Sequence, residues 1–393
     1  LYLFPTKALA QDQLRGLGEL TAGEGVQLAL GGKLFGTYDG DTARGARGGL
    51  RRSASIILTN PDMLHLGILP NHTLWADFLT NLRYVVVDEA HVYRGVFGSH
   101  VGCVLRRLWR VCGRYGSAPQ VIACSATIAN PGEHLQRLAG VEGVVIDDAH
   151  EGAPRGGRNF VLWNPPFVDR AKTARRSANI EAARLFARLV QSGIRTITFT
   201  RARSVAELIL RYARRILQDE APSKSGGMSL ADRIRAYRGG YRPEQRREIE
   251  RGLRPGGGLL GVTATSALEL GIDIGDLDAA VLVGFPGTIA SLWQQAGRAG
   301  RGTRRSLSVL IAQDNPLDQY FMRHPGDLFG RPHENALIDP SNPYVLEQHL
   351  PCAAHELPLS RGEEQIGSTP RVAARAPRRA LPGRRRGGAR LPQ

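Results

Sequence analysis

The stretch Tyr84-Val85-Val86-Val87-Asp88-Glu89-Ala90-His91 decides the fold class of this chain. Its consecutive β-branched residues predict a buried strand, and two adjacent carboxylates follow where that strand ends. In an open α/β sheet, ligands bind at the carboxyl ends of the strands. A carboxylate pair at that edge can hold a magnesium ion with one member and position a water with the other. The alternative is an acidic, solvated turn without a function.

Strand-like apolar segments alternate with helical patterns along the 393 residues, which predicts parallel sheets covered by helices on both faces. The predicted strands are Val26–Leu30, Ser55–Thr59, Tyr84–Val87, Gln120–Cys124, Arg195–Thr200, Leu259–Thr263, Ala279–Gly284 and Ser306–Ala312. The predicted helices are Lys7–Leu20, Ser99–Cys112, Ile180–Gln191, Val205–Leu217 and Pro243–Gly252. We therefore expect two α/β domains, at residues 1–150 and 177–330, joined by a linker at 151–176.

The pattern weakens after Tyr320, where prolines follow one another closely. Residues 331–360 are expected to begin a further domain that the chain does not complete. Residues 361–393 carry nine Arg against two Glu and little apolar periodicity, which predicts a disordered basic tail. That tail is either a nucleic-acid-binding arm or the product of a frameshift or truncation.

Composition narrows the class of partner. A net charge of +16, of which the tail supplies +7, favours a polyanion such as nucleic acid. No apolar run reaches the roughly 18 residues of a membrane span. The four cysteines lack CxxC spacing, so neither a zinc site nor a disulfide framework is indicated, and a reducing cytoplasm fits best. Because the chain opens at Leu1 inside a strand-like pattern, we expect its true N-terminus to be missing.

A second polar segment, Gln294-Gln295-Ala296-Gly297-Arg298-Ala299-Gly300-Arg301, predicts a phosphate-handling site. Arg298 and Arg301 are spaced i and i+3, so both can reach one phosphate group from a helix face. Such a pair from a second domain can act as an arginine finger on a transferring phosphoryl group. The alternative is a generic basic surface.

Four further segments combine hydroxyl, glycine or charged residues with predicted strand ends. Ser125-Ala126-Thr127 can bridge the acidic site to a neighbouring domain, or can cap a helix. In the segment Thr263–Asp273, Thr265 suits a backbone phosphate, while Gly271 and Asp273 could approach a nucleotide. The segments Phe4–Leu9 and Thr59–Leu64 place polar side chains at helix starts, where free N–H groups attract anions or are capped.

Taken in order, these segments resemble the motifs of superfamily-two helicases of the DEAD/DEAH-box type over about residues 1–325. Tyr93–His100, Asn342–Val345 and Leu350–Ala354 resemble more closely the bacterial YprA/MrfA-type DNA helicases, which are related to the fungal Hrq-type enzymes. The resemblance implies two tandem RecA-like domains, the first incomplete. It also implies ATP and Mg²⁺ as cofactors, and ATP-dependent 3′→5′ translocation on single-stranded or duplex DNA in genome maintenance. The expected location is cytoplasmic and nucleoid-associated, with no membrane partner.

The resemblance also implies a role for each residue that matches a motif. Asp88 would hold Mg²⁺ through water, and Glu89 would orient the attacking water. His91, Ser125 and Thr127 would couple the nucleotide site to the DNA site. The residues expected at the nucleotide are Gln294, Arg298 and Arg301 at the γ-phosphate, with Gly271 and Asp273 completing the pocket. The residues expected at the phosphates of the DNA strand are Thr6, Lys7, Thr59, Thr200, Arg201 and Thr265.

The sequence departs from the family pattern at several points. The phosphate-binding loop G-x-x-x-x-G-K-[ST] is absent, and Gly31-Gly32-Lys33-Leu34 has neither its spacing nor its hydroxyl. The adenine-reading segment and the C-terminal cysteine cluster have no counterpart, and Ser266 replaces an expected Asn. The alternatives are an RNA helicase, a translocase subunit of a restriction or defence system, and a catalytically dead nucleic-acid-binding remnant. The chain alone is expected to be inactive as an ATP hydrolase.

Overall fold

In the computed structural model, the first sheet has five strands, all of which pair in parallel. Its strands are β1 (Tyr2–Leu3), β2 (Leu34–Thr37), β3 (Ala54–Thr59), β4 (Tyr84–Val87) and β5 (Gln120–Ala123), in the order β2-β3-β1-β4-β5. The structure describes residues 1–23, 34–126, 128–147, 149–150, 152, 156–169, 171, 174–220, 228–269, 275, 277–300, 304–330 and 333–359.

The second sheet has six strands and is also parallel throughout. Its strands are β6 (Arg158–Trp163), β7 (Thr196–Phe199), β8 (Ile234–Tyr237), β9 (Gly261–Ala264), β10 (Ala279–Val283) and β11 (Ser306–Ile311), in the order β6-β11-β10-β7-β9-β8. Two parallel-sheet α/β units confirm the predicted fold class.

Helices connect the strands, as parallel pairing requires. The α-helices are α1 (Lys7–Thr21), α2 (Arg44–Ser53), α3 (Pro61–Met63), α4 (Ala76–Thr80), α5 (Gly95–Arg114), α6 (Pro131–Ala139), α7 (Ala178–Gln191), α8 (Arg203–Glu220), α9 (Pro243–Leu253), α10 (Ile289–Ala296), α11 (Pro316–Arg323), α12 (Pro325–Phe329) and α13 (Pro343–Glu356). Short 3₁₀ or π segments occupy Leu64–Ile68, Leu69–Trp75, Ala90–Val92, Leu230–Arg233 and Ser266–Leu268. Of the helices in the described part of the chain, none is both long and apolar enough to cross a membrane.

Side-chain caps fix where several of these helices begin. The oxygens of Thr6, Asn60, Thr288 and Asn315 each accept the backbone N–H three residues further on. Each cap satisfies an N–H group that has no partner within its helix. The helix starts that follow β1, β3, β10 and β11 are therefore fixed close to the carboxyl ends of those strands.

Most of the predicted strands lie within two residues of strands in the structure, because continuous β-branched runs mark buried strands. Val85 and Val87 in β4 are fully buried, and all five residues of β10 are buried. The predicted strand Val26–Leu30 lies outside the described residues.

Strands β2, β6 and β8 were not predicted. Residues 151–176, expected to form a linker, contain β6, which pairs with β11 along its whole length. Because β6 is an edge strand and its outward side chains Val161 and Trp163 stay about 40% exposed, its flanks can be polar. Polar flanks conceal a strand of this kind from pattern analysis.

The chain returns to the first sheet after completing the second one. Helix α13, inside the segment expected to begin a further domain, packs against α5. Glu356 on α13 accepts two hydrogen bonds from the Arg107 guanidinium on α5, and both side chains are fully buried. His349 on α13 lies 3.2 Å from Arg107 and 3.0 Å from the His100 ring. A buried ionic contact therefore joins the end of the described chain to the first domain.

Candidate nucleotide and nucleic-acid site

The carboxylate pair lies at the carboxyl end of β4, as the sequence predicts. Asp88 and Glu89 are half-buried, directly after the fully buried Val87. Glu89 has φ 49° and ψ 46°, and it is the one non-glycine residue with positive φ in the described part of the chain. A left-handed backbone at a residue with a long side chain costs conformational energy and commonly marks a functional turn.

Electrostatics make this turn a suitable place for a cation. Asp88 Oδ1 accepts the Glu89 backbone N–H at 3.0 Å. Burial raises the pKa of the Asp88 carboxyl, and the neighbouring Glu89 charge raises it further. A positive charge placed at the pair would relieve both effects.

His91 connects the acidic turn to two other segments. Its Nδ1 accepts the Ala126 backbone N–H at 3.2 Å and lies 3.5 Å from Glu89 Oε2. Burial lowers the pKa of His91, and the charges of Arg94 and His134 lower it as well; together they bring it to about 4, so the ring is neutral at pH 7. Because Nδ1 is an acceptor, the neutral ring carries its proton on Nε2.

Gln294 meets that nitrogen from the second domain. Its side-chain Nε2, on α10, lies 2.5 Å from His91 Nε2. Because the nitrogen and oxygen of a side-chain amide are assigned from the surrounding hydrogen bonds, the flipped amide places its oxygen where it can accept the ring proton. The described structure thus brings together three segments that the sequence predicts to act jointly: Asp88–His91, Ser125–Ala126 and Gln294. The contact crosses between the two sheets.

A cleft of about 500 Å³ opens beside this contact. Its lining residues come from both domains and are His91, Val92, Arg94, Phe199, Thr200, Arg201, Ser266, Glu269, Val283, Gly284, Pro286, Thr288, Ala290, Ser291, Gln294 and Gln295. Many of them follow the carboxyl ends of β7, β9 and β10, the edge where parallel sheets bind ligands.

Arg298 lies behind the wall of this cleft. Only 3% of it is exposed, and its guanidinium donates to the backbone carbonyl of Glu269, with Nε at 3.1 Å. Gln295 donates to the carboxylate of the same residue at 2.9 Å. Here Arg298 fixes the segment that follows Thr265 instead of pointing into the cleft, so its predicted contact with a γ-phosphate stays a prediction.

The expected DNA contacts differ in what their side chains do. Thr59 is buried and donates to the Tyr38 carbonyl at 2.6 Å, so its expected contact with a DNA phosphate stays a prediction. Thr6 caps α1 through the Leu9 N–H, while Lys7 is exposed beside Asp41.

The other expected DNA contacts lie near the cleft. Thr200 and Arg201 line it, and Arg201 also donates to the Phe285 carbonyl. Thr265 is largely buried where β9 ends, immediately before the 3₁₀ segment. Ser125 is exposed and donates to the Ala126 carbonyl, so the bond to His91 comes from the backbone of this segment and not from the predicted hydroxyl.

Four predicted site residues, Thr127, Gly271, Asp273 and Arg301, lie outside the described residues. Within the described part, no group of three His, Cys, Asp or Glu side chains could hold a metal ion by itself.

Sequence reasoning missed Glu269, Glu334 and the backbone of Ala126. Glu334 accepts hydrogen bonds from the first two N–H groups of α10. No local pattern marks these residues, because their partners are distant in sequence or are backbone atoms. The one indirect signal for Glu334 is that the Pro-containing sequence around it predicts neither a helix nor a strand.

Three family models match the chain. Residues 1–135 match the DEAD/DEAH box helicase model, and residues 181–303 match the helicase conserved C-terminal domain. Residues 338–376 match the winged helix domain of the ATP-dependent helicase HRQ1. The first match contains all five strands of the first sheet, and the second contains β7 to β10 of the second sheet.

Relatives of known sequence or structure agree with these matches. The chain is 49% identical over 368 residues to the uncharacterized ATP-dependent helicase YprA of Bacillus subtilis, covering 94% of this chain and 47% of that protein. It is 41% identical over 367 residues to ATP-dependent helicase HRQ1 of Saccharomyces cerevisiae, covering 92% and 33%. The chain thus spans about half or less of these relatives.

A solved structure shares the fold at high identity. The crystal structure of the DUF1998 helicase MrfA bound to DNA has a TM-score of 0.85 and 48% sequence identity, covering 93% of this chain and 47% of that one. A second MrfA crystal structure contains both DNA and AMPPNP, with the same TM-score and identity and coverage of 93% and 49%. With its two parallel sheets, its acidic turn and these matches, the chain belongs to the DEAD/DEAH box helicase family.

Proposed function

We propose that this chain is the motor core of an ATP-dependent DNA helicase that moves 3′→5′ along single-stranded DNA and serves genome maintenance. The observation that carries the proposal is the His91–Gln294 contact, which joins the carboxylate turn of one sheet to helix α10 of the other. The DNA and the nucleotide analogue in the MrfA structures support it. The direction and the pathway rest on the family resemblance. A DNA substrate also favours a cytoplasmic, nucleoid-associated location.

In the proposed mechanism, ATP binds between the two domains and the Glu89 carboxylate orients the attacking water. Asp88 would hold Mg²⁺, which when bound neutralises charge on the phosphates. Gly271, Asp273 and Arg301 would complete the nucleotide site. Neutral His91 would couple changes at that site to Ala126 and Gln294, because it is hydrogen-bonded to both.

The DNA strand would cross both domains near Lys7, Thr200 and Arg201. We infer that binding is mostly to phosphates, so that affinity falls with salt and depends little on sequence. Opening and closing of the interdomain cleft would then move the two domains along the strand. The chain by itself is proposed to hydrolyse ATP poorly, since no segment with the G-x-x-x-x-G-K-[ST] pattern is present to cradle the β- and γ-phosphates.

The test is Glu89→Gln in the complete protein. The amide keeps the size of the side chain but cannot accept a proton from water, so we expect DNA-stimulated ATP hydrolysis to fall by at least about 10²-fold. Binding of a fluorescent ATP analogue should stay within about twofold of wild type, because no phosphate contact is lost. Normal turnover in this variant would overturn the assignment. Glu347→Gln, an exposed change of the same type, is the matched control.

A further inference from the structure

A strap of eight residues, His333–Pro340, connects the second domain to α13. It lies between α12 and α13 and has neither helix nor strand. Ala336 and Ile338 are 2% and 4% exposed, and Ile338 belongs to the core of the first domain. The strap therefore leaves the second domain and packs into the core of the first domain.

On the first domain, the strap is anchored beside two of the predicted motifs. Gly95, four residues after His91, donates its N–H to the Leu337 carbonyl at 2.7 Å. Asn130, which follows the Ser125–Thr127 segment, accepts the Ala336 N–H at 2.9 Å. Asp339 donates its N–H to Ser99 at 2.9 Å. Movement of the strap would therefore displace the residues that follow the His91 motif and the Ser125–Thr127 motif.

On the second domain, the strap reaches α10 through one side chain. The Glu334 carboxylate accepts the N–H groups of Ile289 at 2.6 Å and Ala290 at 3.1 Å. Thr288 accepts the next N–H, that of Ser291. Burial opposes ionisation of Glu334, but the two N–H donors outweigh it and hold the pKa of the carboxyl below its ordinary range. A negative charge at a helix N-terminus is also favoured by the helix dipole.

The backbone of the same residue bonds to the other domain. The Glu334 carbonyl accepts the Ala129 N–H at 3.4 Å. Glu334 thus bonds through its side chain to the helix that carries Gln294, and through its backbone to the segment after Ser125. Gln294 and Ala126 are the two groups that His91 bonds.

We propose that Glu334 is a positioning residue for ATP hydrolysis. It holds α10 in the position that places Gln294 against His91. The inference rests on the proposed function, since it assigns Glu334 to the same reaction. Glu334 does not reach the reacting atoms. It acts by fixing one end of α10 against the first domain. A displacement of about 1 Å at a site of this kind can lower turnover by about 10²-fold.

The test compares Glu334→Ala, Glu334→Gln and the control Glu347→Ala in the complete protein. For Glu334→Ala we expect kcat to fall about 10- to 100-fold, while KM for ATP and the Kd for single-stranded DNA stay within about twofold. Glu334→Gln should restore part of kcat, because its amide oxygen can accept one of the two N–H groups. A merely structural role would lower the active fraction without this split and without rescue.

Hydrogen–deuterium exchange on the present chain gives a second readout that does not depend on activity. The peptide with Ile289 and Ala290 should exchange faster in Glu334→Ala and remain unchanged in Glu347→Ala. If Glu334→Ala does not fold, Asn130→Ala removes the opposite anchor and should give the same split of kcat from KM. Unchanged kcat in a folded Glu334→Ala variant would overturn the inference. Absence of hydrolysis in the wild-type complete protein would instead overturn the proposed function.

Discussion

Removal of the charge on Glu356 should destabilise the first domain more than any surface substitution on α13. Arg107 is fully buried, and its Nε and Nη2 atoms both donate to the Glu356 carboxylate. Its Nη1 lies 2.9 Å from His65 Nδ1 and 3.2 Å from His349 Nδ1, so two neutral rings complete the shell. Glu356→Gln leaves a buried guanidinium without its counter-charge.

The magnitude follows from the burial of this pair. Breaking a buried ion pair by removing one partner costs about 3–5 kcal/mol, because the remaining charge stays desolvated. For a domain of this size, 1 kcal/mol corresponds to a shift in Tm of about 2–4 °C. We therefore expect the thermal transition of the first domain to fall by on the order of 10 °C.

The assay is differential scanning calorimetry of the chain and its variants. Glu347→Gln, on the exposed side of the same helix, should change stability by less than about 0.5 kcal/mol. The double variant Arg107→Met/Glu356→Leu removes both charges and should be close to wild type or more stable. A Glu356→Gln variant that melts with wild type would refute the reasoning, as would a double variant as unstable as the single one.

Two further predictions concern the histidines. His91→Ala and Gln294→Ala should each lower DNA-stimulated ATP turnover of the complete protein by about 10-fold or more. In steady-state kinetics, the double variant should lose less than the product of the two single effects, because both substitutions remove the same contact. Multiplicative effects would show that the two residues act separately. The pKa of His91 and that of His349 are both lowered to about 4, mainly by burial, and for His349 the charges of Arg107, His100 and His65 contribute to that value. Since the folded state disfavours protonation, the stability that each ring contributes is complete above the unfolded pKa of about 6.5 and is lost as the pH falls toward 4. For each ring, the free energy of unfolding should be about 2 kcal/mol lower at pH 5 than at pH 7. The measurement is urea unfolding at the two pH values. His349→Gln should reduce that difference, and an unchanged difference would contradict the assignment.

The sheets and the acidic turn could be predicted from sequence because their signals are local. A run of valines followed by Asp88 and Glu89 contains in eight residues both the strand and the place where it ends. The identity of His91 as a polar residue near that edge is equally local. Its neutral state is not, because it depends on burial by segments from both domains.

The strap and the α13 contact could not be predicted, because they join residues far apart in sequence. Arg107 and Glu356 are 249 positions apart, and each alone is typical of a solvated helix face. Thr59 also has a partner that the sequence does not reveal. Its hydroxyl donates to the Tyr38 carbonyl, on the neighbouring β2 side of the sheet, and its expected contact with a DNA phosphate stays a prediction.

The path of the chain has a consequence for how the two domains can separate. The backbone passes from the first domain to the second between α6 and β6, and it passes back through the strap. A protease that cuts in the exposed segment around Val144 and Ile146 would therefore produce two fragments that still migrate together in a native gel. The second fragment would carry the strap and α13, which remain docked on the first. Cleavage there would remove one covalent connection between the domains, and the two fragments would remain together as a non-covalent complex.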